Sequence, residues 1–166
     1  MTTTRNDTGV LARTATAATL VAGAALIGMA ATEAWQVFAR YVLNNSPGWT
    51  EPVALFLLSI AMSLGAAASV RSWSHFGFFI LAQNAPARVR RIMEAFANIV
   101  VAAVGVALAA WGTRLLFDGI DVPAAGTVLP ESARFLPIAI AGALMCVFAI
   151  ERLVSRAPAP AESVEA

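Results

Sequence analysis

The chain has 166 residues, of which 59% are hydrophobic and only 13% are charged, and its formal net charge is +1. Asp, Glu, Lys and Arg are absent from residues 14–32, 52–70, 95–113 and 135–150. Each stretch approaches the run of about 20 apolar residues that an α-helix needs to cross the hydrocarbon core of a bilayer. The composition predicts an all-α integral membrane protein with four transmembrane helices, and it excludes a soluble catalytic or nucleotide-binding domain.

The predicted spans follow one another with short connections. They cover residues 15–43, 49–70, 91–117 and 131–154. A turn cluster at 44–48 ends the first span. Thr50 can cap the second span, and Pro52 sits in its first turn, where its missing N–H costs nothing.

The segment between spans two and three differs in composition from the spans. Residues 72–90 mix aromatic side chains with arginines, which is typical of a short segment that lies in the membrane interface. Residues 1–156 are predicted to form a single four-span domain. The tail at 157–166, which is acidic and follows an Ala-Pro repeat, is predicted to be disordered.

Most arginines lie on one side of this topology, and the other side carries mainly acidic residues, with Arg40, Arg114 and Arg134 near its helix ends. The arginines beside the termini and the second connection are Arg5, Arg13, Arg71, Arg88, Arg90, Arg91, Arg152 and Arg156. The acidic residues of the other two connections are Glu51, Asp118, Asp121 and Glu131. Because an excess of basic residues marks the cytoplasmic side, both termini are predicted to be cytoplasmic.

Small residues recur at helical spacing in three of the spans. The rows are Ala24, Gly28 and Thr32, then Ala61, Gly65 and Ser69, then Ala97, Gly105 and Ala109. Helices in lipid approach one another most closely at such rows. The rows predict either packing inside the four-helix unit or docking of a partner subunit, and the pattern does not distinguish the two.

Glu33, Gln36 and Arg40 share one face of the first span. Charged groups at membrane depth usually find a partner. One interpretation is that Arg40 pairs with Glu51 across the turn and holds the helical hairpin together. The alternative is that Glu33 couples proton movement in a self-sufficient homodimeric transporter. Arg40 on the same face would oppose that second role.

The sequence offers no pattern typical of catalysis or cofactor binding. It contains no nucleophile–base pair, no Gly-rich phosphate loop and no cluster of metal ligands. The single cysteine, Cys146, is expected to pack as a small hydrophobe. The single histidine, His75, cannot supply bis-histidine haem ligation, so a membrane-embedded enzyme or redox anchor is the least favoured class. We expect no cofactor, no metal and no nucleic-acid partner.

Five short motifs between residues 36 and 75 form a recognisable series. They are Gln36-Val37-Phe38-Ala39-Arg40-Tyr41-Val42-Leu43, Trp49-Thr50-Glu51, Leu64-Gly65-Ala66-Ala67, Val70-Arg71 and His75. Their order resembles the small, DctQ-like membrane subunit of the tripartite ATP-independent periplasmic (TRAP) transporters. The residues that carry the resemblance most directly are Arg40, Tyr41, Trp49, Glu51, Gly65, Arg71 and His75. The chain departs from the family at Pro52 and at Phe78 and Phe79, where acidic residues are frequent.

The resemblance implies a non-catalytic subunit of a secondary transporter in the bacterial inner membrane. It implies two protein partners, which are a large DctM-like membrane subunit with the substrate and sodium sites and a periplasmic substrate-binding protein, besides the membrane lipids. The transported compounds would be organic acids. The small subunit would have no transport site and would brace the scaffold of the large one.

Overall fold

The structure is a computed structural model, and it describes residues 9–72, 87–127 and 129–155. Its α-helices are α1 (Val10–Tyr41), α2 (Thr50–Ser72), α3 (Ala87–Asp118) and α4 (Leu136–Ser155). A 3₁₀ helix, Glu131–Phe135, leads directly into α4. Four spans in this part of the chain are long and apolar enough to cross a membrane, and the described residues contain no β-strand. The predicted all-α fold with four membrane helices is confirmed.

Three of the sequence predictions fall wholly or largely on residues that the structure does not describe. Most of the predicted interfacial segment, residues 73–86, is one of them. The others are His75, within that segment, and the tail at 157–166.

The helices form a single row rather than a closed bundle. Extensive contacts join α1 to α2, α2 to α4, and α4 to α3. The order across the row is therefore α1–α2–α4–α3, with α1 and α3 at the edges. The central helices α2 and α4 run in the same direction, and each edge helix runs antiparallel to its neighbour. One end of the row carries Thr50 and the loop at 119–130, and the other carries Arg71; we call them the Thr50 end and the Arg71 end.

A row one helix thick can bury only part of its apolar surface. Small residues and Phe148 of α4 dominate the core, and Phe148 is fully buried. Large apolar side chains of α3 remain exposed, among them Phe96 at 68% and Trp111 at 66%. Lipid tails are as apolar as these side chains, so the surface suits a bilayer and would be unsuitable in water.

Glycines allow α3 and α4 to cross at very short range. A Cβ atom built on Gly142 would lie 2.5 Å from the backbone nitrogen of Ala109 and 2.7 Å from the carbonyl oxygen of Gly105. The Cys146 thiol lies in the same contact and donates to the Ala102 carbonyl oxygen over 3.3 Å. Gly105 thus lies inside the helix row, at the α3–α4 crossing.

The contact between α1 and α2 includes Gly28 and Thr32 of the row suggested by the sequence, but not Ala24. The side chains of α1 that face α2 follow alternating intervals of three and four residues, as in a coiled coil. They are Ala15, Ala18, Ala22, Ala25, Met29, Thr32, Gln36 and Ala39, all buried or half-buried; we call them the buried seam. Ala24, which the sequence placed in the packing row, is exposed. The correction has a simple cause, since α1 is rich in alanine on every side.

Candidate functional site

The residues of the family-like motif do not converge on one pocket. Arg40, Tyr41, Trp49 and Glu51 lie at the Thr50 end, whereas Arg71 lies at the opposite end. Gly65 lies between them and faces α1, because a Cβ atom there would be 3.9 Å from the Cβ atom of Ala22. The motif therefore marks both ends of the α1–α2 hairpin rather than a binding site.

At the Thr50 end, two connecting segments meet backbone to backbone. Gly126 has φ +74°, and a Cβ atom on it would lie 2.6 Å from the carbonyl carbon of Gly48. Thr50, which is fully buried, donates its hydroxyl hydrogen to the Pro47 carbonyl oxygen over 2.9 Å. These contacts attach the turn before α2 to the loop before the 3₁₀ helix.

The 3₁₀ helix is fixed to α2 by polar contacts. The Ser59 hydroxyl donates to the Arg134 carbonyl oxygen over 2.5 Å. The guanidinium of Arg134 pairs with Glu131 over 2.9 Å. Glu51 and Arg134 both line the shallow pocket between these elements, together with Phe56.

The predicted ion pair between Arg40 and Glu51 is wrong. Both residues are described and exposed, and no ion pair joins them. The reason is the position of α2 between two neighbours. Arg40 is in the last turn of α1, whereas Glu51 lines the pocket on the side of α2 that faces the 3₁₀ helix. The hairpin is held instead by the buried seam.

At the Arg71 end, an ion pair joins the two central helices. Arg71 Nε lies 3.5 Å from Glu151 Oε2, and the two side chains are 30% and 28% exposed. Sequence reasoning selected Arg71 but missed Glu151. The sequence did contain a signal for this pair. With four spans, α2 and α4 must both end on the same side of the membrane, which places Arg71 and Glu151 at the same level.

A double-mutant cycle is expected to reveal the coupling between Arg71 and Glu151. Arg71→Glu and Glu151→Arg each place like charges together and should lower the free energy of unfolding by about 1 kcal/mol, the upper range for a partly exposed pair. The double swap should recover most of that loss. Thermal unfolding of the purified subunit in detergent measures all four proteins. Strictly additive effects would show that the pair does not couple the helices.

A groove runs between α1 and α2 near the Arg71 end. Its walls are small or short polar side chains, namely Ala12, Ala15, Thr16, Thr19, Ala22, Gly65, Ala68 and Ser69, with Arg71 at one end. The hydroxyls of Thr16 and Thr19 donate to carbonyl oxygens of their own helix, and that of Ser69 donates to Gly65. We call this feature the α1–α2 groove.

The remaining sequence candidates lie apart from any enclosed site. Glu33 is exposed on α1 and lines neither the shallow pocket nor the α1–α2 groove. A Cβ atom on Gly28 would contact Leu57 of α2 at 3.4 Å, and Ala61 is half-buried. Within the described part of the chain, no group of three His, Cys, Asp or Glu residues could hold a metal ion.

Comparison with known proteins gives one family. The model of the family described as "Tripartite ATP-independent periplasmic transporters, DctQ component" matches residues 29–159. The matched stretch includes the end of α1, all of α2, α3 and α4, and all the motif residues from Arg40 to His75. No curated protein matches the chain.

Proposed function

The chain belongs to the DctQ-component family of TRAP transporters, and from this premise we propose that it is the small permease subunit that braces a large membrane subunit during ion-coupled uptake of organic acids. The large subunit supplies the substrate and sodium sites, and a periplasmic binding protein delivers the substrate. The family match carries this proposal. It covers most of the chain and includes the motif residues at both ends of the α1–α2 hairpin.

The architecture supports a bracing role over a transporting one. Substrate and ion sites of secondary transporters lie near the middle of the membrane and are reached from both sides. Here the shallow pocket lies at the Thr50 end and the α1–α2 groove near the Arg71 end. Neither feature connects the two ends, and Glu33 lines neither of them. Coupling through Glu33 in a homodimer therefore has no observation in its favour.

The distribution of charge supports an orientation in the bacterial inner membrane. Arginines accumulate around the Arg71 end in the sequence, and the acidic connections belong to the Thr50 end. Basic residues mark the cytoplasmic side. In the proposed complex, the Arg71 end and both termini face the cytoplasm, and the Thr50 end faces the periplasm and the binding protein.

Reconstitution tests the proposed function directly. We expect liposomes with the large subunit, this chain and the binding protein to take up radiolabelled dicarboxylates along a sodium gradient. Liposomes with this chain alone should show none, and omission of this chain should abolish uptake by the other two. Saturable uptake by the chain alone, or full uptake without it, would refute the proposal.

Co-purification provides a readout that does not depend on the choice of substrate. An affinity tag on this chain should retain the large subunit through detergent extraction and size-exclusion chromatography. An unrelated four-span membrane protein with the same tag serves as the control. Absence of the large subunit from the tagged fraction would contradict a stable complex.

A further inference from the structure

A second seam on α1 repeats the spacing of the buried seam, displaced by one residue. It again alternates intervals of three and four residues, and every member is exposed. Its members are Thr16, Thr19, Gly23, Leu26, Ala30, Glu33, Val37 and Arg40; we call them the exposed seam. Side chains at this spacing line one face of a helix and suit knobs-into-holes packing against another helix. The face next to the buried seam is thus exposed along the length of α1.

The exposed seam of α1 differs in chemistry from the exposed surface of α3. Half of the exposed seam is Gly, Ala or Thr, and it includes the carboxylate of Glu33 and the guanidinium of Arg40. The exposed surface of α3 consists mainly of large apolar side chains, including Ile92, Phe96, Ile99, Val104, Val106 and Trp111. In membranes, small and polar residues favour contact between helices, whereas bulky apolar residues suit lipid. Other faces of α1 also expose large apolar side chains, such as Leu20 and Ile27, so the exposed seam, rather than the whole α1 edge, is the face that suits contact with another helix.

Glu33 lies deeper in the membrane than the charged residue that begins α2. Ala22 of α1 stands opposite Gly65 of α2. At 1.5 Å per residue, Glu33 is about 16 Å from Ala22, whereas Glu51 is about 21 Å from Gly65 in the same direction. Glu33 thus lies about one helical turn inside the level of Glu51. Among the side chains that the structure describes, no basic one pairs with Glu33.

An exposed carboxylate at that level is unfavourable against lipid and calls for a partner of opposite charge. At its other end the exposed seam borders the α1–α2 groove, since Thr16 and Thr19 belong to both. The groove remains open because the side chains around it are too short to fill it. One face of α1 therefore combines space for an approaching backbone with a charge that needs neutralising.

We propose that the exposed seam of α1 is the docking surface for a transmembrane helix of the large TRAP subunit, and that this helix brings a basic side chain to Glu33. The inference rests on the proposed function. It adds which face of α1 makes the contact, how the partner helix is aligned along that face, and that the Glu33 carboxylate takes part. The partner helix packs along α1 and enters the α1–α2 groove near Thr16 and Thr19. Gly23 and Ala30 allow close approach of the two backbones.

Site-specific photocrosslinking in the complete complex tests the surface. A benzophenone amino acid replaces Leu26 of the exposed seam or, as matched controls, its neighbour Ile27 or Val21 on other faces of α1. All three side chains are exposed, at 53%, 74% and 48%. We expect irradiation to join the Leu26 variant to the large subunit, while the Ile27 and Val21 variants give no such product.

The outcomes separate this inference from the proposed function. Crosslinks to the large subunit from Ile27 or Val21 but not Leu26 would overturn the assigned surface and leave the function intact. A Leu26 crosslink to a second copy of the chain, or within the chain, would also overturn it. Failure of the wild-type chain to retain the large subunit would instead reject the proposed function.

Substitution of Glu33 tests the charge. Because an interhelical polar contact in lipid contributes roughly 1–2 kcal/mol, Glu33→Leu should lower recovery of the large subunit by about tenfold. Glu33→Gln should have a smaller effect and Glu33→Asp the smallest. The isolated Glu33→Leu subunit should melt no lower than wild type, which separates docking from folding. Unchanged recovery with Glu33→Leu would refute the charge contact.

Filling the groove tests the register of the contact. Thr19→Trp places a large ring in the exposed seam, and Leu20→Trp places the same ring at the same depth on an adjacent face. Thr19→Trp should abolish retention of the large subunit, and Leu20→Trp should not. Equal retention of the large subunit by both variants would show that the partner helix lies elsewhere.

Discussion

Replacement of Gly142 by leucine is expected to separate α3 from α4 and to lower the free energy of unfolding of the subunit by about 3 kcal/mol or more, the upper range for overpacking. Even the first added carbon has no space, since it would lie 2.5 Å from the Ala109 nitrogen and 2.7 Å from the Gly105 oxygen. Both obstacles are backbone atoms, so a rotamer change cannot relieve the clash. Thermal unfolding in detergent, followed by circular dichroism, measures the loss.

Gly142→Ala and Gly23→Ala form the matched pair for this prediction. A Cβ atom on Gly23 meets nothing within 4 Å, so Gly23→Ala should be neutral or should stabilise the isolated helix by up to about 1 kcal/mol. Gly142→Ala gains the same helix propensity, but its added Cβ atom must force the α3 and α4 backbones apart. Equal melting temperatures for the two alanine variants would show that α3 and α4 do not cross at such short range.

Gly126→Val is expected to detach the loop at 119–130 from the turn before α2, at a cost of about 3 kcal/mol from the left-handed backbone and the collision together. The backbone of Gly126 has φ +74°, which a β-branched residue rarely adopts. Its Cβ atom would lie 2.6 Å from the Gly48 carbonyl carbon. The change is confined to the Thr50 end, so the expected signature is rapid proteolysis of the loop while the helices stay intact.

Gly48→Ala provides the control on the opposite side of the same contact. A Cβ atom on Gly48 would lie 3.6 Å from the Gly126 Cα atom, an ordinary van der Waals distance. Gly48→Ala should therefore leave protease resistance unchanged. If Gly48→Ala and Gly126→Val were cleaved at the same rate, the asymmetry of this contact would be disproved.

The four helices were predictable because membrane insertion depends on the length of charge-free runs, which can be read directly from the amino-acid sequence. A run without charges must be about 20 residues long to cross hydrocarbon, and such runs stand out in the sequence. Their arrangement in the row α1–α2–α4–α3 was not predictable. Both protein-facing and lipid-facing positions are apolar in a membrane helix, so periodicity does not tell one from the other.

The errors at individual residues have related physical causes. Ala24 and the residues of the buried seam are equally small, and only the α2 surface selects between them. The Arg40–Glu51 pair was inferred from closeness along the chain, but Glu51 faces the 3₁₀ helix. Gly142 and Glu151 were missed because their partners, Ala109 and Arg71, lie far away in sequence and belong to helices whose adjacency was unknown.

The order of the row also bears on how the polypeptide matures. Each edge helix pairs with the helix that follows it in the chain, so α1–α2 and α3–α4 are hairpins built from local contacts, which form early and quickly. The contacts of α2 with the 3₁₀ helix and α4, through Ser59–Arg134 and Arg71–Glu151, join distant parts of the chain. During synthesis the first hairpin can fold before the second leaves the ribosome. The ion pair at the Arg71 end then joins two hairpins that have already folded.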